Sequence, residues 1–331
     1  MQVETSVHGV LVVDKPEGLT SHDVVAAARR ALGTSRVGHT GTLDPLATGV
    51  LPLAIGGATR LVRFLASSDK DYDAAIRFGL TTDSYDVTGV ETSRTGQTPD
   101  RVELLAALRA LTGTYLQTPP AFSAKKVGGR RAYALARAGR RAERDTRGGA
   151  DAPKCSAPPI ELTPVPVTVT RADLVAFDGL SARVALTCSA GFYVRAFVNA
   201  VGTRVGTGAC LEALRRTRSG DFGLESAVTL EDLQLRRVTA AERIVPLERL
   251  LPGFPAVRLT PEGRDRVADG QDIDIRHMMQ AERPLRFGAA DASASVERWV
   301  RLFDENGRLV ALATDGKRPD SLHPTVVLLY N

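Results

Sequence analysis

Residues 38–51 read Gly-His-Thr-Gly-Thr-Leu-Asp-Pro-Leu-Ala-Thr-Gly-Val-Leu, which puts one carboxylate, one imidazole, three hydroxyls and three glycines within fourteen positions. Asp44 stands immediately before Pro45, so its backbone is biased to an extended or turn conformation and its carboxylate is held in one place. A fixed carboxylate can serve as a nucleophile or stabilise developing positive charge. Glycines at 38, 41 and 49 allow positive φ and close approach of backbone to a ligand. His39, Thr40 and Thr42 offer polar contacts. An Asp-Pro pair is also ordinary turn chemistry, and on its own decides nothing.

The flanking residues supply elements able to hold such a loop. Residues 9–14, Gly-Val-Leu-Val-Val-Asp, form an apolar run that predicts a buried strand, and Lys15-Pro16-Glu17-Gly18 carries the Pro and Gly of a turn. A helix should follow, capped by Thr20 or Ser21, with Val24, Val25, Ala28 and Leu32 on its apolar face and Gly33 at its end. After the loop, residues 50–55 predict a strand, 58–67 a helix and 72–78 an alternating strand. Further helices are expected at 101–111, 193–205 and 229–237, with Leu214 also read as helical, and further strands at 165–170 and 182–188. From about 251 the pattern changes to short strand-like runs near 300–303, 309–313 and 326–329, which suggests a small β-rich module.

Length and charge narrow the classes. A chain of 331 residues exceeds one typical compact domain, and 43% hydrophobic with 24% charged residues describes a globular protein. No stretch of about 18 apolar residues predicts a membrane span. The first residues lack a basic region followed by an apolar stretch, so a cytoplasmic location is expected. Three widely spaced cysteines suggest neither a disulfide framework nor a zinc site, and no phosphate-loop motif occurs. The net charge of +5 is concentrated: residues 123–147 hold nine Lys or Arg against two acidic residues. A polyanion would be drawn there, although a solvated charged loop would look the same. Glycines break this segment, and residues 150–159 are rich in Pro and Ala, the pattern of an insertion.

Residues 38–51 resemble, over their full length, the nucleophile motif of the TruB family of tRNA pseudouridine synthases. The resemblance extends to residues 14–21, to Lys70-Asp71-Tyr72, to residues 117–126 with Gly129, Tyr133, Ala136, Arg137 and Gly139, to residues 189–195, and to Leu214-Arg215-Arg216. It implies an α+β fold with a mixed, largely antiparallel central sheet and peripheral helices. Residues 1–250 would form the catalytic domain, with an RNA-clasping insertion at about 123–160. Residues 251–331 resemble a small PUA-like RNA-binding domain, although 281–296 depart from it and look like an inserted loop.

The implied reaction is isomerisation of uridine to pseudouridine at position 55 in the T loop of tRNA, with no cofactor, no metal and no obligate protein partner. Asp44 would be the catalytic aspartate, Arg195 its guanidinium partner, and Tyr72 the aromatic under the uracil. A uridine in a folded loop must leave its stack to be reached, and His39 would fill the vacated space. Leu214 would close the pocket. Gly41, Thr42 and Tyr193 join the substrate-binding set, and Lys15, Lys126, Arg130, Arg131 and Arg137 would hold the RNA backbone. The chain departs from the family pattern at Phe122, at Phe192, at Asn199-Ala200 and in the length of residues 141–159. The basic segment would equally serve an RNA-binding or RNA-folding protein without catalysis, or a sibling synthase acting on another RNA.

Overall fold

Val10 and Val12 point to one face of their strand and Leu11 and Val13 to the other, and all four are buried. The uninterrupted apolar run therefore marks a strand covered on both sides. The computed structural model describes residues 7–123, 126–127, 130–131, 162–235, 242–281 and 298–328. Within them the strand Gly9–Lys15 lies in a large sheet in the order Gly9–Lys15, Ala47–Ile55, Ala209–Ser219, Lys70–Phe78, Ser181–Cys188, Val165–Phe177 and Gly113–Gln117. Val228–Thr229 pairs parallel to the first strand, and Ala47–Ile55 is parallel to Ala209–Ser219. The other pairings are antiparallel. The chain is thus an α+β protein on a mixed, largely antiparallel sheet.

Helices cover one face. Val24 and Ala28 from Ser21–Leu32, Leu104 and Leu108 from Arg101–Ala110, Phe197 and Val201 from Val194–Arg204, and Leu233 from Leu230–Leu235 pack on Leu11, Leu53, Ile76 and Leu186. Burial of each large side chain there contributes about 1.5–3 kcal/mol. The helix Ser21–Leu32 begins with a capping box between Thr20 and Asp23 and ends on Gly33 at φ +63°, as its terminal residues predict.

The opposite face, with Val10, Val12, Val50 and Ala54, is covered by the C-terminal residues Phe254, Trp299, Leu309, Leu312 and Leu328. These belong to or flank a second sheet, in the order Met278–Ala281, Ala256–Leu259, Val300–Phe303, Leu309–Asp315 and Leu322–Val327. The last strand starts earlier than the sequence suggests because it runs through Pro324. It lies at the sheet edge, where a missing N–H costs no ladder bond.

Residues 209–219, including Leu214, correct the helical reading. They form a central strand, paired on one side with Ala47–Gly49 and on the other with Lys70–Phe78. Leu and Arg favour helices, but burial between two strands overrides that preference. Helix 58–67 is divided, with a 3₁₀ segment Gly56–Leu61 before Val62–Ala66. Among the described residues no helix is long and apolar enough to cross a membrane.

Candidate active site

Ser21, the alternative cap, is occupied elsewhere. Its buried Oγ accepts from the Leu43 amide at 2.8 Å and donates to the Leu43 carbonyl at 3.0 Å, which ties the residue before Asp44 to the first helical turn. The Pro45 carbonyl, on the other side, accepts from the Gly18 amide at 2.8 Å. Lys15 completes the support. Its side chain has no solvent exposure, and Nζ donates to the carbonyls of Pro16 at 2.8 Å, Leu19 at 2.7 Å and Pro45 at 3.3 Å. Expected on RNA phosphates, Lys15 is instead enclosed beneath the Asp44 loop, because three carbonyls compete successfully for its ammonium. Burial lowers its pKa to about 8, against an opposing effect of Asp44.

Asp44 projects from this braced loop with its side chain 42% exposed, and its Oδ2 accepts from Arg195 Nε at 2.8 Å. Arg195 stands in the first turn of Val194–Arg204 and is 6% exposed. Its other nitrogens donate to the Ser84 carbonyl at 2.8 Å and the Phe122 carbonyl at 2.7 Å. Because Phe122 contributes through its backbone, its departure from the family's side chain leaves this contact intact. Behind Arg195 lies Asp86, with Oδ2 3.6 Å from Nε and Oδ1 accepting from Ser84 Oγ, Thr88 N and Thr88 Oγ1. Tyr85, between Ser84 and Asp86, has φ +64°, a strained conformation for a residue with a side chain. The helix start is fixed by Gln117, whose amide group bonds both the Tyr193 N–H and its carbonyl.

Asp44 and Arg195 border a cavity of about 250 Å³ that also includes Gly41, Thr42, Tyr72, Tyr193 and Leu214. Tyr72 lies on Lys70–Phe78 directly opposite Arg216 of the neighbouring strand. Burial raises its pKa, so it stands as a neutral phenol. Leu214 and Arg216, two residues apart, face the same side and both line the cavity. Arg215, between them, turns away to a two-pronged ion pair with Asp14 at 3.1 and 2.7 Å.

His39 is outside the cavity lining and packs edge-on against His22, ring centroids 5.4 Å apart. Lys126, Arg130 and Arg131 fall on a two-stranded ladder described by its backbone pairing. Arg137 and most of the basic insertion lie outside the described residues, as do residues 282–296. Of the loop glycines, only Gly49 has positive φ, at +100°.

The sequence alone gives Asp86 no role, Ser21 only that of a possible cap, and Gln117 and Arg216 only membership of motifs. Arg216 could have been found from strand alternation with Leu214. Asp86 carries no local signal, since only the fold brings it to Arg195. The arrangement supplies a carboxylate oriented by a shared guanidinium at the mouth of a cavity floored by an aromatic ring, which suits attack on a planar ring or the sugar attached to it.

Comparison with known sequences and folds gives the family. A model of the TruB family pseudouridylate synthase N-terminal domain matches residues 29–149, and one of the tRNA pseudouridylate synthase B C-terminal domain matches residues 195–252. The chain is 42% identical to tRNA pseudouridine synthase B of Solibacter usitatus, covering 97% of this chain and 99% of that protein. It is 41% identical to the protein of the same name from Thermobifida fusca, covering 96% and 98%. In fold it is similar to a chain from an H/ACA ribonucleoprotein bound to a substrate RNA containing 2′-deoxyuridine, with a TM-score of 0.70 and 21% identity over 100% of this chain and 88% of that one. By identity over nearly its whole length, the chain belongs to the TruB family of pseudouridine synthases.

Proposed function

We propose that this protein converts uridine to pseudouridine at position 55 in the T loop of tRNA, with Asp44, Tyr72 and Arg195 as its catalytic residues. The observation that carries the reading is the Arg195–Asp44 pair at 2.8 Å, set at a cavity that also contains Tyr72. Identity above 40% with tRNA pseudouridine synthases B supports tRNA as the substrate.

Pseudouridine formation breaks the bond from ribose C1′ to uracil N1, turns the ring and rejoins it through C5. The target must first be flipped out of the loop, and a 250 Å³ cavity suits one pyrimidine better than a larger ligand, for which pockets of about 300–1,000 Å³ are usual. Tyr72 then lies against the ring. Asp44 attacks the sugar or base, or stabilises cationic character at C1′, as carboxylates do in glycosyl chemistry. Arg195 holds Asp44 in orientation through a charge-assisted bond. The reaction conserves mass and oxidation state, so it needs no redox cofactor or co-substrate. Leu214, Gly41, Thr42 and Tyr193 enclose the base, and His39 fills the space it leaves.

The basic insertion at about 123–160, with Lys126, Arg130, Arg131 and Arg137, clasps the RNA backbone, and residues 251–331 act as a PUA-like RNA-binding unit. The protein works as a cytoplasmic monomer. The test is incubation with unmodified tRNA followed by nucleoside chromatography: one pseudouridine per tRNA, mapped to position 55, supports the reading, and none overturns it.

A further inference from the structure

Arg216 is among the largest fully buried side chains in the protein, at 1% exposure. Its Nε donates to the Val50 carbonyl at 2.7 Å and Nη2 to the Gly41 carbonyl at 3.1 Å, so the guanidinium is fixed at the cavity wall opposite Tyr72. Gly41 presents no side chain there; a Cβ at that position would stand 3.6 Å from Arg216 Nη1.

What separates Arg216 from its neighbours is its counter-charge. Arg195 has Asp44 and Asp86, Arg215 has Asp14, and Arg218 has Asp71. Among the described residues no carboxylate lies within ion-pair distance of Arg216. A buried cation whose partners are two carbonyls and the Tyr72 hydroxyl is costly unless something else supplies negative charge. Lys70, the other cation lining the cavity, is turned aside, with its ammonium donating to the carbonyls of Ala66 and Ser68. Arginine retains its proton in such a site, whereas burial and the nearby Arg216 lower the pKa of Lys70 to about 8.

We infer that Arg216 stabilises the negative charge left on the uracil ring when the C1′–N1 bond breaks. This rests on the proposed function. On cleavage the bonding pair leaves with N1 and spreads over the two ring carbonyls, while an Asp44 oxygen meets C1′. On rejoining, C5 attacks C1′, the C1′–oxygen bond returns its pair to Asp44, C5 gives up its hydrogen and N1 takes a proton. Between these events the base is an anion inside a cavity lined by two buried cations without a carboxylate partner among the described residues, Lys70 and Arg216, of which Lys70 is turned onto the Ala66 and Ser68 carbonyls and Arg216 stands at the wall beside Tyr72 and Gly41. A positioned donor to such a developing anion contributes roughly 10²–10³-fold in rate.

The test compares Arg216→Met and Arg216→Lys with the unsubstituted protein in single turnover, on tRNA carrying uridine or 5-fluorouridine at position 55, and follows loss of the starting nucleoside, because C5 of 5-fluorouridine carries no hydrogen to give up. Fluorine makes the departing ring a more stable anion and relieves the need for Arg216. Arg216→Met should lose roughly 100-fold or more on uridine, at least several-fold less on 5-fluorouridine, with tRNA affinity unchanged. Arg216→Lys should lose less than Met on uridine and show the same narrowing. If Arg216→Met does not fold, the Lys variant carries the comparison. Equal losses on both RNAs would overturn the inference and leave Arg216 a structural residue. Failure of the unsubstituted protein on both RNAs would instead overturn the functional reading beneath it.

Discussion

Arg195 Nε meets Asp44 Oδ2 at 2.8 Å across 151 residues of chain, and the remaining arms of the same guanidinium hold the Ser84 and Phe122 carbonyls. One side chain thereby joins the Asp44 loop, the segment carrying Asp86 and the approach to the basic insertion. Its position in the first turn of a helix whose opening residue is clamped by Gln117 makes that junction rigid.

Arg195→Lys keeps the charge but cannot reach all three partners, because an ammonium lacks the planar fork. The rate of the chemical step should fall by roughly 10²-fold or more with little change in tRNA affinity. Single-turnover kinetics beside a filter-binding titration checks this; an unchanged rate would show that the pair does not orient Asp44.

Gly49→Ala should destabilise the fold. The residue has φ +100°, and a Cβ would stand 2.2 Å from the Arg216 carbonyl oxygen, a backbone atom of the adjacent strand that cannot give way cheaply. A loss of about 2 kcal/mol or more is expected, read as a lower denaturant midpoint. An unaltered midpoint would contradict the close approach of these strands.

Lys15 gives a pH signature. Its folded-state pKa is lowered from 10.5 to about 8, mainly by burial. Between those values the unfolded chain holds a proton that the folded protein has released, so this group's contribution to stability rises with pH across the window. The stability advantage of the unsubstituted protein over Lys15→Met should therefore grow from pH 8 towards 10.5. Urea titrations at several pH values measure it, and a constant or shrinking difference would contradict the burial of Lys15.

Deleting residues 132–147 should weaken tRNA binding and flatten its dependence on salt, since fewer phosphates would be neutralised. An unchanged slope of affinity against salt would show that other residues hold the RNA backbone.

Much of this architecture was legible in the chain. The apolar runs 9–14 and 50–55, the capping residues around 20–33 and the alternation after Tyr72 follow from local chemistry, and residues 38–51 pointed to Asp44. What escaped depends on long-range pairing. Lys15 is charged and lies beside a turn, so nothing local indicates that it will be enclosed beneath Pro45. Thr20 and Ser21 are equivalent caps until the Leu43 backbone arrives to engage one of them. Leu214 looked helical because its strand is imposed by the neighbours on each side. Arg216 becomes a cavity residue only through that same register, and Asp86 only through Arg195.

The most direct test of the central claim is tritium release from unmodified tRNA labelled at carbon 5 of uridine, comparing the protein with Asp44→Asn. The isomerisation expels that hydrogen. About one equivalent per tRNA should be released by the unsubstituted protein, none by Asp44→Asn at nearly intact tRNA binding, and none when position 55 is not uridine. Tight binding without release by the unsubstituted protein, or release that survives Asp44→Asn, would contradict the account.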